Sequence, residues 1–194
     1  MNIDDFWTVI ETARTDAASA SGDPSQAFAS ALVERLAATS KQTILEYQQC
    51  FDQLHGAIYR RDMWATGHLI GGGCSDDAFM DFRAGLIAQG RQWYERAATA
   101  PDVLAQHPDV IAAAVEGTDE ARCSTKPSTT RPPTPTSAST ATTAPFYDDY
   151  DQFCGPRTDQ ARAEMGESFD FNGALEMQAR FPGLARLFLE HNHA

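Results

Sequence analysis

Apolar residues recur at helical spacing through the first 122 residues, and no alternating β-branched run of strand length interrupts them. That pattern limits the chain to an all-α fold. Ile3, Phe6, Trp7, Ile10 and Ala13 form one stripe behind Asn2, with Met1 and Phe6 placed to staple the helix start. Asp23-Pro24 reads as a cap followed by proline at the first helical position, and Phe28, Leu32 and Leu36 follow it. Ser40 can cap a longer helix with Ile44, Tyr47, Phe51, Leu54 and Ile58 on its apolar face. A shorter segment carries Trp64 and Leu69 into Gly71-Gly72-Gly73. Beyond these glycines Phe79 to Ile87 is periodic, with Gly90 as its stop. Residues 91–98, 101–106 and 108–116 predict three short helices, two of them opening at proline.

The pattern ends at residue 122. Of the 22 residues from 124 to 145, twelve are Ser or Thr and five are Pro, too little apolar surface to offset the entropy of ordering them. Residues 123–145 are therefore expected to be a disordered linker between a helical domain (1–122) and a tail (146–194). The tail opens with acids and rings, Phe146 to Phe153. It closes on an amphipathic helix carrying Leu175, Met177, Phe181, Leu184, Leu187 and Phe188, interrupted at Pro182. That helix needs a partner surface, and the simplest is the main domain.

The net charge of −12 argues against direct binding to nucleic acid or to an anionic membrane, where Lys and Arg supply most of the affinity. It fits a protein partner, above all a basic one. Met1-Asn2-Ile3-Asp4-Asp5 is acidic where a secretory signal would be basic, and no run approaches the roughly 20 apolar residues of a membrane span. Cys50, Cys74, Cys123 and Cys154 show no C-x-x-C pair. The expected location is the cytoplasm, with the cysteines as thiols.

Candidate chemistry gathers at Ile70-Gly71-Gly72-Gly73-Cys74-Ser75-Asp76-Asp77. A glycine loop before a helix can cradle phosphate with its free amides. Asp76 and Asp77 oppose that, because two carboxylates in the first turn repel an anion and favour the helix dipole themselves. The other reading is a capped corner, with Ser75 as N-cap and the glycines letting two helices approach. Cys74 beside a helix start could be a nucleophile, but the neighbouring acids disfavour its thiolate, and a small buried cysteine is the alternative. Arg83 lies among Phe79, Phe82, Leu86 and Ile87. It needs an acid such as Asp62, Asp4 or Asp5, or else serves as an anion-binding group in a pocket with Trp64 and Cys74. Asp76, Asp77 and Asp81 offer oxygen donors without EF-hand spacing. The five histidines show no H-E-x-x-H pattern. No metal and no cofactor are expected.

Phe6-Trp7, Ile10-Glu11, Ala13-Arg14, Trp64, and the run from Ile70 through Asp77 to Phe79, Phe82, Arg83, Leu86, Ile87 and Gly90 resemble domain-of-unknown-function family 4240. The resemblance covers about residues 1–116 and resumes between 166 and 190, at Gly166 to Phe171 and Phe181 to Leu184. It implies a mostly helical fold and assigns no catalytic residues. Gly85 departs from the family pattern, which has an aromatic residue there.

Two functions follow as expectations. One is a non-catalytic interaction or regulatory module, in which Phe146, Tyr147, Tyr150 and Phe153 supply contact area and the surrounding acids steer a basic partner. The alternative is a small enzyme or ligand-binding domain with a cleft at Trp64, Cys74, Asp76, Asp77 and Arg83.

Overall fold

The computed structural model describes residues 1–116, 143–154 and 165–189, and among these every regular element is a helix. The helices gather into two compact units. The first holds Met1–Ala57 and residues 143–154; the second holds residues 58–116 and 165–189. The division falls at Ala57 and Ile58, inside the stretch predicted as one helical domain. Most of the predicted linker lies outside the described residues, and its last three residues, 143–145, belong to a helix.

The first unit begins with α1 (Ile3–Ala18). Asn2 Oδ1 accepts from the Asp5 amide at 2.8 Å and the Asp5 carboxylate accepts from the Asn2 amide at 3.0 Å, a reciprocal cap. The second helix, α2 (Pro24–Ala37), is capped by Asp23, which accepts from the Gln26 amide at 2.9 Å. The apolar stripes of α1 and α2 pack on each other, and Phe6, Ile10, Ala13 and Leu32 are wholly buried. The third helix is α3 (Lys41–Ala57), and Ser40 Oγ accepts from its Thr43 amide at 3.2 Å. Tyr47 stacks on Phe6 with ring centres 4.9 Å apart. The phenol oxygen of Tyr47 is buried without a hydrogen-bond partner.

The second unit opens with α4 (Arg61–Gly71). Gly72 sits in the left-handed region at φ 62°, and the Gly73 amide bonds back to the His68 carbonyl at 3.0 Å, ending the helix. Next come α5 (Asp76–Ala88), α6 (Arg91–Thr99), a 3₁₀ turn (Pro101–Gln106) and α7 (Pro108–Glu116). Gly67 on α4 lets α5 come close. A Cβ there would lie 3.3 Å from the Phe82 ring and 3.4 Å from Cys74 Sγ.

Among the described residues, three helices lie beyond residue 142. In the first unit, α8 (Thr143–Cys154) packs on α3. In the second, α9 (Ala174–Arg180) and α10 (Pro182–Phe188) meet at Phe181, and α10 packs on the 3₁₀ turn, α4 and α7. Met177, Phe181 and Leu184 are buried, as an apolar stripe requires. Leu175, expected on the same stripe, is 84% exposed, because it stands two residues before Met177, about 200° round α9 from the buried face.

Candidate functional site

The glycine run is a helix corner. Ser75 caps α5, its Oγ accepting from the Ala78 amide at 3.2 Å, and Asp76 and Asp77 are exposed in the first turn, where the helix dipole favours their charge. Gly73, at φ 142°, completes the reversal in a conformation that L side chains rarely adopt.

Trp64 and Arg83 turn inward from this corner. The indole N–H of Trp64 donates to the Cys74 carbonyl at 2.9 Å, tying α4 to the loop that leads into α5. Its ring stacks on Phe79 at 4.9 Å, with only 10° between the planes. The Arg83 guanidinium lies over the same Phe79 ring at 4.7 Å and over Tyr59 at 4.8 Å. Its charge is thus held against two ring faces, an arrangement that suits the planar, weakly hydrated guanidinium. Burial pushes this group down to about 10, so it stays charged at neutral pH.

Of the acids that the sequence suggested for Arg83, Asp62 receives the fork of Arg60, at 3.0 and 2.8 Å, and Asp5 closes the cap of α1. Phe79 is among the neighbours of Arg83 in the sequence; the rings missed at this corner were Tyr59 and Phe171. Tyr59 precedes α4 and belongs to no apolar period. Phe171, 6.4 Å from Trp64 and 5.7 Å from His68, comes from a segment a hundred residues away in the chain.

Cys74 is half-buried, with Sγ 3.7 Å from the Ser75 carbonyl. Burial raises its thiol above the ordinary value, the opposite of an activated nucleophile. Among the described residues no group of three or more His, Cys, Asp or Glu side chains could hold a metal ion.

The acidic-aromatic helix α8 is divided in its use of rings. Tyr150 is 3% exposed and its hydroxyl donates to Asp52 on α3 at 2.7 Å. Asp52 also accepts from Gln48 at 2.8 Å, so one carboxylate joins a helix turn to the neighbouring helix. Burial, together with hydrogen bonds to Cys154 and Asp52, raises the Tyr150 phenol above its ordinary value. Phe153 is half-buried and lines a groove of about 300 Å³ between α3 and α8, with Lys41, Gln42, Leu45, Asp149 and Gln152. Lys41 and Asp149 form an ion pair across it. The side chains of Phe146 and Tyr147 lie outside the described residues.

No helix among the described residues is long and apolar enough to cross a membrane. No curated protein and no solved structure matches the chain. The sequence profile of the family described as "Protein of unknown function (DUF4240)" matches residues 1–125, nearly two-thirds of the chain and all of α1 to α7, so this protein belongs to that family.

Proposed function

We propose that this protein is a non-catalytic docking module of the cytoplasm that binds a basic segment of another protein at the face formed by α3 and α8. The observation that carries this reading is the groove between those helices, with Leu45 and Phe153 as apolar lining and Asp149 at its edge. Interfaces of this kind draw on buried ring and aliphatic area for affinity and on charge for steering. Asp148, Asp149 and Asp151 on α8, and a net charge of −12, favour a cationic partner.

The corner residues argue against the catalytic alternative. The Trp64 N–H is occupied by Cys74, the Cys74 thiol is raised, Arg83 is stacked between rings, and Asp76 and Asp77 face away into solvent. Polar groups converging on one vacant point, which a reaction needs, are not what these contacts describe.

The test is binding of the full chain to immobilised sets of basic, neutral and acidic synthetic peptides at low and physiological salt. Selective retention by basic peptides, weakened by salt, is expected. Equal retention by all three sets, or by none, would overturn the reading.

A further inference from the structure

We infer that the α3–α8 groove accepts a segment in which a large apolar side chain is flanked by Lys or Arg, and that Lys41 occupies the cation position until such a segment displaces it. The inference rests on the docking role proposed above and adds the chemistry of the partner and an internal competitor for its site.

The groove already displays half of such a complex. The Lys41 ammonium rests on Asp149 beside the apolar surface of Leu45 and Phe153, with Gln42 and Gln152 as further polar lining. Lys41 is the only Lys or Arg within α3 and α8, whereas those helices carry Glu46, Asp52, Asp148, Asp149 and Asp151. An incoming carboxylate would meet acids of its own sign. An incoming ammonium or guanidinium would find Asp149 held by one lysine whose side chain is 63% exposed. Exposed ion pairs are weak, because water screens them and both long side chains lose rotamer freedom, so exchanging one cation for another is easy.

The size of the groove points the same way. At about 300 Å³ it stands at the lower limit of pockets that enclose small molecules. It lies at the surface between two helices and suits one or two side chains of a docked chain. The apolar lining favours a Leu-like or aromatic side chain next to the cation, since Leu45 and Phe153 offer apolar area that an ammonium group alone does not cover.

The internal competitor gives the inference a signature that general acidity does not share. The probe is a fluorescein-labelled synthetic peptide with Lys-Leu-Lys-Arg between Gly-Ser flanks, titrated with the full chain at low salt and read by fluorescence anisotropy. Asp149→Asn is expected to weaken binding about fivefold through loss of the charge pair. Lys41→Gln is expected to tighten it about threefold by removing the cation that holds the site. A peptide with Ser in place of Leu is expected to bind about fivefold more weakly. Circular dichroism melts of both variants verify that α8 remains folded on α3.

If the chain binds the peptide and both variants bind it equally well, the groove is not the site and the inference falls, while a basic partner elsewhere on the surface stands. If Lys41→Gln weakens binding as Asp149→Asn does, the competitor role is overturned. If the unaltered chain binds no basic peptide, the docking reading falls with it.

Discussion

The carboxylate of Asp102 receives the backbone amides of Gly183 and Leu184, each at 2.9 Å, across more than eighty residues of chain. It is the N-terminal cap of α10, supplied by the 3₁₀ turn and not by the residue that precedes the helix. Phe181 stands at that position and offers no side-chain cap. The contact is tight on both sides. A Cβ on Gly183 would lie 2.9 Å from the Ala105 Cβ and 3.0 Å from Asp102 Oδ2.

Asp102→Ala is therefore expected to destabilise the protein by about 1–2 kcal/mol, the cost of a lost cap, in urea unfolding followed by circular dichroism. Gly183→Ala is expected to cost about 1–3 kcal/mol through overpacking, since the atom it strikes is a short methyl beside backbone. Because the two changes act on one contact, the double variant should cost less than the sum. Strict additivity would show that the cap and the close approach are separate.

Tyr47 carries a buried hydroxyl with no hydrogen-bond partner, against the stacked ring of Phe6. Tyr47→Phe removes that group while leaving the ring, and its expected effect runs from neutral to about 1 kcal/mol of added stability. A loss of more than about 1 kcal/mol would mean that the hydroxyl is bonded in solution.

The buried phenols set an alkaline limit. Burial pushes Tyr94 up to about 12, and Tyr47 is raised by the same cause. An unfolded phenol ionises near pH 10, so above that value the unfolded chain sheds protons that the folded chain keeps. Their contribution to stability is whole below about pH 10 and falls as the pH rises towards 12. Absorbance titration at the tyrosinate band, run beside circular dichroism, should show these phenols ionising late and together with unfolding. Full ionisation of all five tyrosines in a folded chain would contradict the burial.

Arg83 lies over Tyr59 and Phe79. Arg83→Lys keeps the charge and loses the planar stacking, so it is expected to cost about 1–2 kcal/mol. Arg83→Met keeps apolar bulk without a buried charge and should be milder than Arg83→Ala, which leaves a cavity between the rings. The ranking Met, then Lys, then Ala in melting temperature is the outcome that supports this picture.

Cys74 and Cys50 have thiols raised by burial. Alkylation by iodoacetamide at mildly alkaline pH, followed by peptide mass spectrometry, should label both at least about tenfold more slowly in the folded chain than in urea. Rapid folded-state labelling of Cys74 would reopen the possibility of a reactive cysteine at the corner.

The local chemistry of the fold was legible in the sequence and the distant chemistry was not. Asn2, Asp23, Ser40 and Ser75 all cap the helices expected of them, because a cap depends only on residues two or three positions away. The corner at Gly72 and Gly73 was readable for the same reason: its backbone needs residues without a Cβ. The setting of Arg83 was only half readable. Phe79, one turn before it, shows in the helical period, whereas Tyr59 depends on how α4 and α5 cross. The cap of α10 by Asp102 was invisible, since nothing in the sequence pairs an acid with two amides eighty residues on. Leu175 misled because two steps of about 100° each separate it from Met177 and place it on the opposite side of α9. At the candidate site, the acids and rings of α8 were visible, but not that Tyr150 would be spent on Asp52 while Phe153 lined the groove.

Both units are completed by chain that is made late. Asp52 finds Tyr150 on α8, and Asp102 finds the start of α10. As the protein leaves the ribosome, its first 116 residues emerge with α8, α9 and α10 still to be synthesised. During that interval the surfaces of α3, α4 and the 3₁₀ turn that those helices cover stand open to water and to other chains. The speed of synthesis across residues 117–142 therefore sets how long a nascent chain carries uncovered apolar surface, and slowing translation there would lengthen its exposure to chaperones and proteases without changing one contact of the finished fold.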